Sequence, residues 1–590
     1  MNKFLLTSFA ATGILLAQRP GGGGNGTTPL ASLKTASVPS PSGLDLYVKD
    51  ETALVALGKA LFWDMQAGSD GRTACASCHF HAGADHRAQN QLAGNAVAPN
   101  ALLTSSDFPF HQLSNVNDNR SAVVRDARQM AGSAGVVSRT FLSLIPGLSM
   151  EDFTAAVSNT TLAGVQTRRV TARNSPSVIN SVFYVRNFWD GRASNLFTGA
   201  TPFGDSDTSP NAWVYEDGSL QARAVKMQNS SLASQAVGPA LNEVEMSYAG
   251  RTWPDLGRKL MGLPPLGQQK VAADDSVLGA MANANGNGLL PAVSYQSLIQ
   301  AAFVPKYWNS PAADKNQMEL NFALFWGLAI QAYEATLISN DSRFDQFMEG
   351  NRTALTALEQ QGMRAFQDGN SQCTQCHNGP ELSAAAFTNV LRRGLTSTDP
   401  DNAGFFRIGS SPIDEDAGLG GKDGFGVQLF LPNRTGAANG TFKVPGLRNV
   451  ELTGPYFHNG SQATLEQVVD FYGRNGDFPT GGNLGPGIGR IRLSAQDKTS
   501  IVAFLKSLTD ERVRYQSAPF DHPSLCVSVG HSELSPGVLQ TDADQPGLVA
   551  LDKWSLIPAI GKLGSATPLT TFEELLKAGG TSAQSCPAAQ

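Results

Sequence analysis

Apolar positions along the chain recur mainly at helical spacing. Residues 51–64, ETALVALGKALFWD, carry apolar side chains three and four positions apart, and residues 354–367, ALTALEQQGMRAFQ, repeat the pattern. A short loop and a pair of cysteines follow each of these predicted helices. The shared order of helix, loop and cysteine pair is a degenerate internal repeat, and it predicts two duplicated domains.

Further helices are predicted where a capping signal precedes a periodic apolar run. The tetrapeptides TLEQ at 464–467 and SAQD at 494–497 both resemble capping boxes. Residues 318–339 are the most apolar internal stretch, yet they contain acids and amides, so they predict a buried core helix rather than a membrane span. Because no alternating strand pattern of any length is present, the sequence predicts a mostly α fold.

The amino terminus predicts a secretory signal over residues 1–17. Lys3 precedes the apolar run FLLTSFAATGILLA at 4–17, which is too short to span a bilayer. A disordered start with chance hydrophobicity remains an alternative, because Leu15 stands where a small residue is preferred. The signal reading predicts a periplasmic or secreted protein, and the Gly, Ser, Thr and Pro-rich residues 18–45 predict a flexible linker.

Composition narrows the class of function. The chain has 590 residues, of which 41% are apolar and 16% charged, so it can bury sizeable cores. Its formal net charge is −6 and no basic cluster is present, which argues against a nucleic-acid partner. No segment predicts a transmembrane helix.

The two cysteine pairs carry the strongest chemical signal. Both fit C-x-x-C-H, the spacing at which two thiols attach one haem covalently while the adjacent histidine binds the iron. A thioredoxin-like redox pair and a four-thiolate zinc site are the alternatives, and neither explains a histidine in that place twice. We therefore predict two covalently bound c-type haems. The motif residues are Cys75, Cys78, His79, Cys373, Cys376 and His377.

The remaining cysteines, Cys526 and Cys586, lie near the carboxyl end of the chain. In an oxidising compartment they are expected to form a disulfide. Two buried free thiols are the alternative. The pairing would close a long loop and stabilise the folded state by about 4 kcal/mol in the chain-entropy model.

Several motifs resemble those of the bacterial dihaem cytochrome c peroxidases and their relative, the methylamine-utilisation enzyme MauG. The resemblance runs from about residue 50 to 515, with long insertions. It implies two cytochrome c-like haem domains in tandem, at 46–345 and 346–516, followed by an extension at 517–590. The motifs are LGKALFWD at 57–64, NSPSVINSVFYVRNFWDGRA at 174–193, QAVGPALNEVEM at 235–246 and VPGLRNVELTGPYFHNGS at 444–461.

The resemblance also implies roles for individual residues. The N-terminal haem would meet the oxidant, and the C-terminal haem would exchange electrons with a donor. Trp189 matches the tryptophan between the haems. Gln235 and Glu245 match the distal amide and the acid that moves protons, with Glu243 left open as a one-step alternative to Glu245.

A calcium ion between the domains is also implied by the resemblance. Asn174, Thr453 and Pro455 match the positions that supply its oxygen ligands. No cluster of acidic residues marks this site in the sequence.

The chain departs from the peroxidases at the second haem. No methionine follows Met363, so the usual methionine ligand of the C-terminal haem cannot be supplied from downstream. Tyr472 stands on the helix that corresponds to the ligand-bearing one, and MauG has a tyrosine at the matching place. A tail histidine, His522 or His531, is the alternative ligand.

At the first haem, the peroxidases bring in a histidine from a mobile loop. Asn95 stands at the aligned position, and His81, His86 and His111 are misplaced for the role. An open distal face, as in MauG, is therefore expected.

Three functions compete on these observations. The first is peroxidase chemistry, in which a small redox protein such as a cytochrome c or cupredoxin supplies electrons for H₂O₂, with a branch of MauG-like oxidation of a partner protein. The second is O₂-dependent cleavage of a polymer, because dihaem rubber oxygenases are similarly enlarged and place a pocket phenylalanine close to the position of Phe203. The third is a plain electron-carrier cytochrome. Gln235 and Glu245 favour the first.

Overall fold

A computed structural model describes residues 27–93, 99–155, 160–311, 316–392, 404–429, 439–480, 484–545, 548–584 and 586. The predicted signal segment and Asn95 lie outside these residues. Within them the α-helices are α1 (Glu51–Trp63), α2 (Ser231–Ala236), α3 (Trp253–Met261), α4 (Tyr295–Ala302), α5 (Gln317–Leu320), α6 (Phe322–Glu334), α7 (Arg343–Met348), α8 (Ala357–Gln367), α9 (Phe387–Arg392), α10 (Leu465–Gly473), α11 (Ala495–Lys506), α12 (Glu511–Arg514) and α13 (Phe572–Lys577).

The strands of the described residues form two-stranded antiparallel sheets. They are β1 (Leu92–Ala93) with β4 (Met130–Ala131), β2 (His111–Leu113) with β3 (Val123–Asp126), β5 (Arg139–Ser143) with β6 (Asp152–Ala155), β7 (Thr161–Leu162) with β8 (Val165–Gln166), β9 (Ala212–Glu216) with β10 (Ser219–Arg223), β11 (Phe405–Phe406) with β12 (Phe442–Lys443), β13 (Leu525–His531) with β16 (Asp552–Ile557), and β14 (Glu533–Ser535) with β15 (Val538–Leu539).

The helix before the first cysteine pair anchors the N-terminal core. The Asp50 side chain caps α1 by accepting from the Ala53 N–H at 3.0 Å. One face of α1 packs against α6, and the two helices cross at Gly58, where an added Cβ would lie 1.9 Å from the Ala329 carbonyl oxygen. In α6 every residue except Ala332 is buried, which confirms a core helix within the predicted range 318–339.

The helix before the second cysteine pair is built on the same plan. The capping box of α8 begins at Thr356, and α8 crosses α11 at Gly362, where an added Cβ would lie 1.8 Å from the Ser500 carbonyl oxygen. The capping boxes predicted at 464–467 and 494–497 start α10 and α11. Two helical cores, each leading into a C-x-x-C-H motif, therefore realise the internal repeat seen in the sequence.

The mostly α prediction is correct only in part, because short strands accompany the helices throughout. The clearest miss is β13, whose seven residues are all buried. Its sequence, LCVSVGH, mixes apolar residues with a serine, a glycine and a histidine, yet every residue is buried, so the pattern of residue types did not indicate the burial of the strand.

The described part of the predicted linker, residues 27–45, is held against the C-terminal core rather than free. Leu30 packs among the buried side chains of that core, and the Leu33 N–H donates to Asp345 at 2.9 Å. The composition of this segment predicted flexibility, but the burial of Leu30 and Leu33 holds the segment against the protein.

The extension after residue 516 packs on the N-terminal core. Leu525 and Val527 of β13 lie in the same apolar cluster as α1 and α6. Cys526 and Cys586 form a disulfide, which confirms the predicted pairing. Within the described residues, no helix is long and apolar enough to cross a membrane.

Candidate functional site

The first C-x-x-C-H motif forms a single tight helical turn. Residues Cys75–Cys78 are a 3-10 helix, begun by the Ala74 N–H, which donates to Ser77 Oγ at 3.0 Å. The His79 ring follows, with Nδ1 2.9 Å from the Gly83 carbonyl oxygen. This bond places the proton on Nδ1 and leaves the lone pair of Nε2 available to a metal.

The second motif repeats this geometry. Residues Cys373–Gln375 form a 3-10 helix, and His377 Nδ1 lies 3.2 Å from the Leu382 carbonyl oxygen. Burial lowers the pKa of His377 to about 4, so the imidazole is neutral at pH 7. A neutral imidazole with a free Nε2 is the form that binds iron.

The residues around both motifs fit covalently attached haem. The four motif cysteines form no disulfide, and they and the two motif histidines are partly exposed. His79 lines a small cavity, whereas Cys373, Cys376 and His377 line a second, larger one. The second cavity has a volume of about 220 Å³ and is lined mainly by apolar side chains. Burial raises the pKa of the Cys373 thiol to about 11, which agrees with a thiol used for a covalent bond rather than as a free thiolate.

Glu245 faces the first motif, whereas the alternative acid Glu243 does not. The Glu243 side chain is 57% exposed and lies 3.8 Å from Arg169 on the surface. Glu245 is turned inward, close enough to act electrostatically on both Cys75 and Cys78. The structure thus separates two residues that the sequence left open.

The environment of Glu245 favours its protonated form. Burial raises the pKa of the Glu245 carboxyl above its usual range, and the charge of Arg192 offsets this effect only in part. Gln235, at the end of α2, is buried, and its Oε1 has no hydrogen-bond partner within the described part of the chain. An acid of raised pKa and an unsatisfied amide therefore lie in the segment that leads from α2 past the first motif.

Trp189 lies on the wall of the second cavity. Its indole Nε1–H donates to the Asn174 carbonyl oxygen at 2.8 Å, and its ring meets His458 edge-on at 6.4 Å between centroids. The preceding residue, Phe188, carries the guanidinium of Arg192 on its ring at 3.8 Å. Arg192 in turn acts electrostatically on Glu245.

The three residues implied in calcium binding lie on one wall of the same cavity. The Asn174 side-chain amide donates to the Pro455 carbonyl oxygen at 2.5 Å, and Thr453 Oγ1 donates to the Val450 carbonyl oxygen at 3.4 Å. In the described ranges, no group of three or more His, Cys, Asp or Glu side chains could hold a metal ion. The Pro455 carbonyl oxygen and the Thr453 hydroxyl are thus engaged in protein hydrogen bonds.

Tyr472 lines the second cavity together with Cys373, Cys376 and His377. Burial raises the pKa of the Tyr472 phenol far above its usual range, and the two thiols add to the effect.

The tail histidines lie elsewhere. His522 stacks on Trp63 at 4.5 Å in the N-terminal core, and His531 Nδ1 lies 3.0 Å from Asp552 Oδ1. Neither histidine lines the second cavity, where Tyr472 lies.

The other residues considered for haem chemistry, which are His81, His86, His111 and Phe203, contact other parts of the protein. His81 and His86 stack on each other with centroids 3.4 Å apart, and His81 Nε2 lies 2.8 Å from the Thr570 carbonyl oxygen. His111 Nδ1 lies 3.4 Å from Asp126 Oδ1. Phe203 packs edge-on against the exposed Phe425 at 5.7 Å, apart from the second cavity and from the small cavity beside His79.

Two buried ionisable residues near the motifs, Glu334 and Lys443, are not indicated by any sequence motif. Glu334, at the end of α6, is buried, its carboxyl acts electrostatically on Cys75, and burial raises its pKa to about 8. Lys443 is buried on the wall of the second cavity. Glu334 could have been suspected from the sequence, because it is an acidic residue within the apolar stretch 318–339. Lys443 directly precedes the motif at 444–461, and nothing in the sequence around it indicates that it is buried.

The chain is similar to several known di-haem proteins. The family model for di-haem cytochrome c peroxidases matches residues 52–138 and 149–353. Cytochrome c551 peroxidase of Pseudomonas aeruginosa is 29% identical over 351 residues, which cover 59% of this chain and 68% of that protein. Methylamine utilization protein MauG of Methylophilus methylotrophus is 25% identical over 190 residues, covering 32% and 48%.

Among solved structures, the diheme peroxidase BthA of Burkholderia thailandensis is 19% identical, with a TM-score of 0.41 over 84% of this chain and 94% of that one. Against several other curated relatives the chain spans only about half of their length. The family model covers the unit around the first C-x-x-C-H motif, and the second unit repeats its plan of crossing helices and motif. The chain therefore belongs to the di-haem cytochrome c peroxidase family and is an oxidoreductase.

Proposed function

We propose that the protein reduces H₂O₂ at the N-terminal haem, with electrons entering through the C-terminal haem and passing along Trp189. The observation that carries this proposal is the inward-facing Glu245, an acid of raised pKa beside the first attachment site. An electron carrier needs no such acid, and insertion of O₂ into an alkene needs no acid–base pair. The reaction consumes two electrons and two protons for each H₂O₂ and forms two waters.

Haem, when bound to Cys75, Cys78 and His79, supplies the iron at which peroxide is reduced. Glu245 would accept a proton from one oxygen of H₂O₂ and return it to the other oxygen, which leaves as water, and so would act as a general base and then a general acid. Gln235 would orient the peroxide through its amide, whose Oε1 lacks a protein partner within the described residues.

Trp189 would carry electrons between the two sites. Its indole lies on the wall of the second cavity, held by the Asn174 carbonyl, while Phe188 and Arg192 lead towards Glu245. The donor is proposed to be a small redox protein, a cytochrome c or a cupredoxin, in the periplasm or outside the cell. A calcium ion held by Asn174, Thr453 and Pro455 would displace the hydrogen bond that the Asn174 amide now donates to the Pro455 carbonyl oxygen.

A second candidate function is oxidation of a partner protein, as proposed from the likeness to MauG. The observation that favours it is Tyr472 on the wall of the second cavity. A phenolate is a hard, anionic ligand, which favours the oxidised forms of iron over the ferrous form. A polymer-cleaving dioxygenase has no comparable support, because Phe203 packs against Phe425 instead of lining the second cavity.

The test is Glu245→Gln, with Glu243→Gln as the matched control. Loss of a general acid and base slows a reaction by about 10²–10⁴-fold, so we expect the H₂O₂ step to slow by that factor with both haems retained. The exposed Glu243 should be replaceable without effect. The wild-type rate should fall as pH drops through the raised pKa of Glu245, and the Gln variant should lose this dependence. Equal rates for the Gln variant and the wild type would refute the proposal.

A further inference from the structure

Lys443 is a buried cation on the wall of the second cavity. It ends β12 and is 5% exposed. Its ammonium donates to Asn187 Oδ1 at 3.1 Å and lies over the ring of Tyr184, 4.1 Å from the centroid. Both contacts are with neutral groups, so the positive charge is solvated by one amide oxygen and one aromatic face.

The acids nearby do not neutralise this charge. Asp190 is the carboxylate that acts on Lys443 electrostatically, but its Oδ2 already binds Arg173 at 2.6 Å and Arg192 at 2.9 Å. Across the described residues, no carboxylate oxygen lies within 4.0 Å of the Lys443 ammonium. Burial lowers the pKa of Lys443 to about 7, which is the response of an ammonium without a counter-ion.

A buried ammonium without a partner is costly unless a ligand supplies the opposite charge. The wall on which Lys443 lies is shared with Cys373, Cys376 and His377, the residues that would hold the second haem. Haem carries two propionate carboxylates besides the vinyl groups used for attachment. A haem bound in this cavity would thus place a propionate carboxylate near Lys443.

We propose that the Lys443 ammonium binds a propionate carboxylate of the C-terminal haem and sets the reduction potential of that haem. This inference rests on the proposed second haem. A fixed positive charge beside a haem favours the ferrous state, because reduction lowers the positive charge on the iron. Lys443 would therefore raise the reduction potential of the second haem and ease the entry of electrons.

The test compares Lys443→Met, which removes the charge and keeps the length of the side chain, with Lys443→Arg, which keeps the charge. In a redox titration of the holoprotein we expect Lys443→Met to lower the equilibrium constant for reduction of the second haem about tenfold, equal to about 59 mV for one electron. The first haem should titrate as in the wild type. Lys443→Arg should restore most of the shift.

A matched control is Lys306→Met, which removes another lysine that lies over a tyrosine ring, that of Tyr307 at 5.1 Å, but on the surface. It should leave both potentials unchanged. Resonance Raman spectra give a second readout, because the propionate bending mode of the second haem should shift in Lys443→Met and not in the control. If Lys443→Met fails to fold, Lys443→Gln and the pH dependence of that mode in the wild type take its place.

The outcomes separate the two levels of the proposal. A mass that shows only one attached haem would refute the dihaem function itself. Two haems with an unchanged potential and propionate mode in Lys443→Met would refute the role of Lys443 alone. An equal shift in the Met and Arg variants would also refute it, since packing and not charge would then be the cause.

Discussion

Burial acts in opposite directions on the two ionisable residues that matter most for the proposed electron path. It raises the pKa of Glu245 and lowers the pKa of Lys443, so each group is pushed towards its neutral form. For Glu245 this creates an acid that can give and take a proton. For Lys443 it leaves a charge that only an incoming anion would stabilise.

Tyr472 carries the residue-scale prediction about the second iron. If its phenolate is the sixth ligand, Tyr472→Phe should abolish the low-spin ferric signal of the second haem, measured by electron paramagnetic resonance, and raise its reduction potential. The reason is that an anionic oxygen ligand stabilises ferric iron more than ferrous iron.

Tyr456→Phe provides the control for that experiment. Tyr456 also lines the second cavity, but its hydroxyl donates to the Val450 carbonyl oxygen at 3.0 Å. This variant should keep the ferric signal. A low-spin signal that survives in Tyr472→Phe would show that another group binds the iron.

At this scale the sequence was informative wherever a residue belonged to a local motif. The C-x-x-C-H residues and the inward-facing Glu245 could be named from spacing and resemblance. Lys443 could not, because its partner Asn187 is 256 residues away in sequence and only the folded chain brings them together. Glu334 escaped for the same reason, since Cys75 lies in a distant part of the chain.

Among the elements, the helices were predictable and the strands were not. Both helices that lead into a cysteine pair begin at a capping residue and carry one apolar face, two signals that are local in sequence. The sequence contains Gly58 and Gly362, at which these helices cross their partners, but it does not show which helix each glycine contacts. In contrast, β13 is buried on both faces and needs β16, which follows it after a hairpin and loops, to become a strand.

The element-scale prediction concerns the disulfide that ties β13 to the end of the chain. Replacing Cys526 and Cys586 by serine should lower the free energy of unfolding of the holoprotein by about 4 kcal/mol, because the bond closes a loop between residues 60 apart. Urea unfolding of the double variant and the wild type under oxidising conditions measures the difference.

A reductant supplies the control for the disulfide. Reduced wild type should unfold at the same urea concentration as the double variant, and the haem spectra of both should match those of the oxidised wild type. An unchanged unfolding midpoint would mean that the packing of β13 on the N-terminal core is sufficient without the bond.

Contacts between distant parts of the chain connect the surroundings of the two C-x-x-C-H motifs. Phe572 of α13 packs with Phe108 of the N-terminal unit and Ala463 of the C-terminal unit in one apolar cluster. Near the amino terminus, Leu30 packs among the apolar side chains of the C-terminal core. Contacts of this kind would fix the distance between the two haem sites, which an electron path along Trp189 requires.

The last prediction tests the number of units that carry haem. The family model ends at residue 353, so the second haem rests on the motif at Cys373, Cys376 and His377 and on the cavity that they line. We expect the purified protein to have the mass of the processed polypeptide plus two haems. Both haems should resist extraction with acid acetone, because both are thioether-bound.

Replacing Cys373 and Cys376 by alanine should remove one haem and leave the spectrum of the first haem intact, since the N-terminal core folds around its own helices α1 and α6. Loss of both haems in that variant would show that the two units do not assemble independently, and a wild-type mass with a single haem would rule out the dihaem path altogether.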